Sequence, residues 1–198
     1  MRFWLFASLL GIVSAPCFAQ LRPSRYGIKD NWSPRPFRSY ELTLASLRPG
    51  KSKISRAISL NKSLGSPSED NGTTVWFDRS ACEKINFDAD THGLIESIRV
   101  SIHVFNGQKA CASVSSDAGW KTGKGLSLRL PCLEATRIYG EPTSRSPSTK
   151  NGQPLELLYY AFDWAGPDVP QVMEVVCTAP KDGSPGRVVE ITLAASSL

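Results

Sequence analysis

The sequence predicts an α+β fold made of two tandem repeats, each a short helical segment followed by a three-stranded or larger antiparallel meander. Three observations predict it. Residues 130–142, LPCLEATRIYGEP, read as a short helix ended by Gly140 and stopped by Pro142. A fainter copy, SRAISLNKSLGSP, fills residues 55–67 and ends in the same way on Gly65 and Pro67. The stretch Gly93-Leu-Ile-Glu-Ser-Ile-Arg-Val matches Gly186-Arg-Val-Val-Glu-Ile-Thr-Leu, so each half closes on a similar strand.

Ahead of these repeats stand two segments of different character. Residues 1–19 combine Arg2, an apolar run from Phe3 to Val13 and small residues leading to Ala19, the pattern of a secretory signal peptide. Cleavage after Ala19 leaves Gln20 first, and Cys17 follows Pro16 rather than the small residue that precedes a lipid-modified cysteine. Export to the periplasm or the extracellular space is therefore expected, with no transmembrane segment after leader removal, because no later apolar run has the length to cross a bilayer. Residues 20–40 hold Arg22, Arg25, Lys29, Arg35 and Arg38 against Asp30 alone, with three prolines and four aromatics. They read as an extended tether, either a solvated arm or a weak grip on an anionic polymer or an envelope. Residues 41–198 hold 17 basic and 17 acidic side chains, so the net charge of +5 belongs to the tail and no specific nucleic-acid partner is expected.

The first repeat spans residues 41–106. Ser52 is placed to cap a helix whose Ile54, Ala57, Ile58 and Leu64 recur at helical spacing. TTVWF (73–77), KINF (84–87) and LIESIRVSIHVF (94–105) are strand-like and separated by polar turns. In the last of them Ile98, Val100, Ile102 and Val104 share one face, and Arg99, Ser101 and His103 the other. Residues 107–124 read as a connection. The second repeat, 125–198, holds a helix over 130–139 and strands over 156–162, 172–177 and 187–193, with 143–154 read as a long Ser/Thr/Pro/Gly loop.

Helix, then G-x-P, then a strand ending in aromatics, then a closing G-[RL]-[VI]-x-x-I-x-[VL] strand resembles the exported α+β module of the β-lactamase inhibitory proteins and the SmpA/OmlA-type envelope lipoproteins. The inhibitory proteins carry two such modules in tandem, so the resemblance implies coverage from about Leu42 to Leu193 and a place among exported binding proteins. This chain departs from both groups. The acylated cysteine of the lipoproteins has no counterpart, and no inhibitory residue of the other group maps onto a position here.

Four cysteines follow the leader: Cys82, Cys111, Cys132 and Cys177. An even count in an oxidising compartment implies two disulfides with three connectivities, and no C-x-x-C pair suggests zinc. Cys132 falls on the sheet-facing side of its helix, and Cys177 alternates with Met173 and Val175 on the apolar side of its strand. Cys132–Cys177 is therefore the preferred bridge, which leaves Cys82–Cys111.

Asp88-Ala-Asp90-Thr-His92-Gly93 begins like a calcium loop, but Arg99 occupies the position where a bidentate glutamate is needed, so a polar turn is expected and no metal or other cofactor. Only two histidines exist, and no G-x-S-x-G, H-E-x-x-H or Walker lysine is present, so the reading is non-catalytic. A hydrolase would need Glu174, Glu190 or His103 gathered in a pocket. The remaining candidate is the sheet face away from the helices. Trp76, taken as opposite in phase to Val75 and Phe77, is expected there with Arg99 and His103, joined by Tyr160, Val172 and Val188. Aromatics beside arginine are the composition of protein-binding hot spots. The expected function is an exported binding or inhibitory protein acting on a protein partner. The alternative is a cell-envelope structural or assembly protein held by its basic N-terminal arm.

Overall fold

The strand signals resolve into a single antiparallel sheet. The computed structural model describes residues 42–70, 72–103, 119–150, 152–162, 171–180, 183 and 185–195, all within one compact unit, Ser33–Leu198. The expected leader (1–19), the tether (20–40), most of the 107–124 connection and Cys111 lie outside the described residues. The strands are β1 (Ser68–Asp70), β2 (Thr73–Asp78), β3 (Glu83–Ala89), β4 (Ile95–Ile102), β5 (Ser144–Lys150), β6 (Gln153–Phe162), β7 (Gln171–Thr178) and β8 (Val188–Ala194). They lie side by side in the order β1-β2-β3-β4-β8-β7-β6-β5.

This overturns the predicted α+β repeat of separate helix-plus-meander modules. Among the described residues the helical elements are α1 (Ile54–Leu60), α2 (Leu133–Tyr139) and a 3-10 turn at Lys62–Leu64. The reason lies in the pairing of β4 with β8, where Ile98 faces Leu193 and Val100 faces Ile191. That pairing satisfies two strand edges which separate modules would leave bare, and it makes one core of what the sequence suggests are two.

Alternation along the strands sends one apolar row after another to the same face. Trp76, Ile85, Val100, Ile191, Val175 and Leu158 stand in one row across the sheet. Phe87, Ile98, Leu193, Met173 and Tyr160 form the next. Leu42, Leu44 and Leu47, Leu126 and Leu128, Ala57 of α1 and Ala135 of α2 cover this face, all fully or almost fully buried. An extra residue in β4 opposite the Asp88/Ala89 junction shifts the register by one and turns Ile95 into the core with Glu96 outward.

Local details confirm some expectations and revise others. Gly65 and Gly140 end the helical segments with φ of 87° and 85°, a region that favours glycine. Ser52 does not cap α1; its hydroxyl accepts the Arg48 N–H at 2.9 Å, and the helix starts after Lys53 without a side-chain cap. Residues 144–150, read as loop, form edge strand β5, and Pro147 sits opposite Glu156 where a missing N–H is tolerated at a sheet edge.

The disulfide Cys132–Cys177 is present, with Cα atoms 5.9 Å apart, and it ties the entrance of α2 to β7. Cys82 is also disulfide-bonded. Among the described residues no helix is long and apolar enough to cross a membrane. The disulfide is compatible with an exported protein.

Candidate binding surface

The four residues singled out for a partner surface separate into two pairs. Trp76 is 2% exposed, stands in register with Ile85 on the core face, and donates its indole N–H to the Gly65 carbonyl at 3.1 Å. Tyr160 is 3% exposed and packs with Tyr139 and Phe162, its phenol pushed above the usual range by burial. Both belong to the core, so the expectation that they project outward is wrong. The error is one of phase: Val75, Trp76 and Phe77 are consecutive apolar residues, and such a run does not declare which member faces in. Val188 is likewise in the core, opposite Cys177.

Arg99 and His103 do lie on the outer face, and the structure adds Phe77 and Lys84 to them. Register places Phe77 opposite Lys84, and Lys84 opposite Ser101, beside the Asn86–Arg99 row. The Phe77 and His103 rings are 4.8 Å apart at 55°, and Phe77 is 36% exposed. Burial, and secondly the charge of Lys84, hold His103 below its ordinary pKa. The Arg99 side chain, 45% exposed, donates from Nε to Thr192 Oγ1 at 3.3 Å and lies 3.6 Å from the Glu190 carboxylate. Glu190 also receives Lys150 at 2.9 Å, so this carboxylate is held between two cations.

The rest of the outer face is less accessible. Val75, Ser97, Val172, Thr192 and Ala194 all point to that side by register, yet each is buried. The exposed Phe77 ring and His103 mark one corner of this face, and Lys150 and the half-buried Tyr159 reach its other end.

A second feature lies on the helix side. Thr43, Ser46, Leu60, Asn61, Trp120 and Lys121 line a cleft of about 490 Å³. Beneath it the Trp120 indole donates to Asn61 Oδ1 at 3.2 Å, and its amide donates to Glu83 Oε2 at 3.0 Å. Glu83 is fully buried and paired with Arg129 at 2.8 Å, and Arg129 also donates to the carbonyls of Ala81 and Cys82. Burial pushes the Glu83 carboxyl up, against the pull of the Trp120 amide and Arg129. Gly119, at φ 83°, leaves room for this carboxylate; a methyl group there would collide with it.

The calcium-like segment is a turn. Asp90 accepts the N–H groups of His92 and Leu94 at 2.8 Å, while Asp88 accepts the hydroxyls of Thr73 and Ser97.

No protein-family model matches the chain, and no curated protein sequence matches it. Among solved structures it is similar to a DUF4309 family protein, YjgB, from Bacillus subtilis, with a TM-score of 0.40 and 13% identity over 76% of this chain and 82% of that one. That likeness says nothing of the β-lactamase inhibitory proteins or the envelope lipoproteins.

Proposed function

We propose that this is a non-catalytic binding protein of the periplasm or extracellular space, engaging a protein partner through the corner formed by Phe77, Lys84, Arg99 and His103. The observation that carries the reading is the exposed Phe77 ring beside His103 and within one strand row of Arg99. An aromatic ring against His103, with the Arg99 guanidinium two strands away on the same face, presents contact area at small entropic cost because all three are held on the sheet. The Cys132–Cys177 bridge and the leader-like residues 1–19 support the compartment. Glu190, one of the carboxylates a hydrolase would need, is engaged by Arg99 and Lys150, which favours the binding reading.

The test is capture of partners from the native secreted fraction by wild-type protein and by Phe77→Ala and Arg99→Ala variants. Each variant is expected to lose a specific partner by roughly tenfold in affinity or more, the loss typical of a hot-spot truncation, with little change in Tm. Equal capture by all three proteins, or a variant that fails because it unfolds, would remove this corner from consideration.

A further inference from the structure

The cleft on the helix side is built around one indole. Trp120 is half-buried and anchored twice, its amide N–H donating to Glu83 Oε2 at 3.0 Å and its indole N–H to Asn61 Oδ1 at 3.2 Å. Each acceptor is itself held. The Glu83 side chain is fully buried and paired with Arg129, and the buried Asn61 donates from Nδ2 to the Ala57 carbonyl at 2.9 Å. With both anchors in place Trp120 meets the cleft as a fixed aromatic wall, and the cleft volume of about 490 Å³ is in the range of small-molecule sites.

A second wall carries backbone strain. Leu44 and Leu47 exchange backbone hydrogen bonds of 2.9 and 3.0 Å around Ala45 and Ser46, whose φ values are 54° and 64°. Two consecutive left-handed residues make the kind of tight turn that Asn-Gly fills without penalty. This chain keeps Ala-Ser instead, and both residues line the cleft, with Ser46 exposed. Strain of this sort persists only where the surroundings hold it, and it gathers at ligand sites. Here the Ala45 N–H donates to Lys121 O at 3.0 Å and the Gly123 N–H to Thr43 O at 2.9 Å, which ties the turn to the Trp120 segment.

We propose that this cleft binds a neutral hexopyranose unit of a glycan. Trp120 supplies flat apolar surface for the C–H face of the sugar ring, and Thr43, Ser46 and Lys121 add hydroxyl and ammonium groups that pair with its hydroxyls. The lining selects this chemistry. A wholly apolar ligand needs predominantly hydrophobic walls, and here Trp120 and Leu60 stand among small and polar residues. Among the described residues the cleft is lined by one cation, Lys121, and by no carboxylate, which is thin provision for a strongly charged ligand. The cleft is open rather than enclosed, so it admits one unit of a longer chain. It lies across the sheet from the Phe77–His103 corner and does not depend on the role proposed for that corner.

The experiment is calorimetric titration of the purified mature protein with cellohexaose and with chitohexaose, whose rings carry equatorial hydroxyls and flat C–H faces. A thymidine homopolymer of similar length is the third titrant. Saturable binding of at least one hexasaccharide is expected, and tighter than that of the homopolymer. Trp120→Leu, which keeps apolar contact with the core but removes the ring, should weaken saccharide binding by about tenfold or more. Ala45→Asn with Ser46→Gly, which gives the turn the residues that suit it, should weaken binding by about two- to tenfold, one hydrogen bond's worth, while Tm holds or rises. Should Trp120→Leu fail to fold, the double variant decides. Wild-type protein that binds neither hexasaccharide overturns the proposal, as does unchanged affinity in the double variant. Tighter binding of the homopolymer than of either saccharide also overturns it and assigns the ring to stacking nucleobases.

Discussion

Trp76 is held by its packing, by an edge contact with Phe87 at 5.6 Å and by its hydrogen bond to Gly65. Replacing it with alanine should cost about 3–5 kcal/mol of stability, read from denaturant unfolding, the range for deleting a large buried ring. Phe77, its chain neighbour on the other face, is the contrasting case and carries the partner test instead. Glu83 makes a pH-dependent contribution. Its folded-state pKa lies above the unfolded value, so its neutral form favours the fold. That contribution is complete below the ordinary carboxylate range and is lost as pH rises through the raised folded value. Wild-type Tm, compared with that of Glu83→Gln, is therefore expected to decline more steeply as pH rises above the ordinary carboxylate range. An identical pH slope in the two proteins would show that the carboxylate does not titrate this way. None of this was legible beforehand: Glu83 is an ordinary charged residue in sequence, and only the fold brings Trp120 and Arg129 to it.

At the scale of elements, the Cys132–Cys177 bridge is the best-read feature. Helical phase at Cys132 and strand alternation at Cys177 suffice to pair them, because both periodicities are regular and both residues lie within well-patterned runs. The bridge spans 45 residues and should contribute about 4 kcal/mol in the chain-entropy account. Replacing both cysteines with serine is expected to lower the unfolding free energy by roughly that amount, with far-ultraviolet dichroism kept at low temperature. The glycine ends of the two helical segments were legible for a similar reason, since few residues but glycine take positive φ without strain. β5 was not. Ser, Thr and Pro dominate it, and only its pairing with Leu155, Leu157 and Tyr159 of β6 makes it a strand.

For the whole molecule, periodicity identifies strands but does not say which strands are neighbours. The seam between β4 and β8 joins residues 89 to 97 positions apart, from Ser101 with Glu190 to Ser97 with Ala194, and no local signal encodes it. That is why two modules are read where one sheet exists, and why the phase of Trp76, fixed by its partner Ile85, could be reversed. The two pairs differ accordingly: Arg99 and His103 sit on a strand whose clean alternation fixes their face, while Trp76 and Tyr160 sit in runs of consecutive apolar residues, which leave the face open. The position of β8 also sets a timetable. It is the last strand of the sheet to be made, and it belongs in the middle, so a growing chain holds β4 and β7 without the neighbour that unites them. At synthesis rates of roughly 5–20 residues per second, about 5–20 s pass between the emergence of Ile102 and of Ala194. Through that interval two strand edges stand open, the exposure that invites pairing with a neighbouring nascent chain.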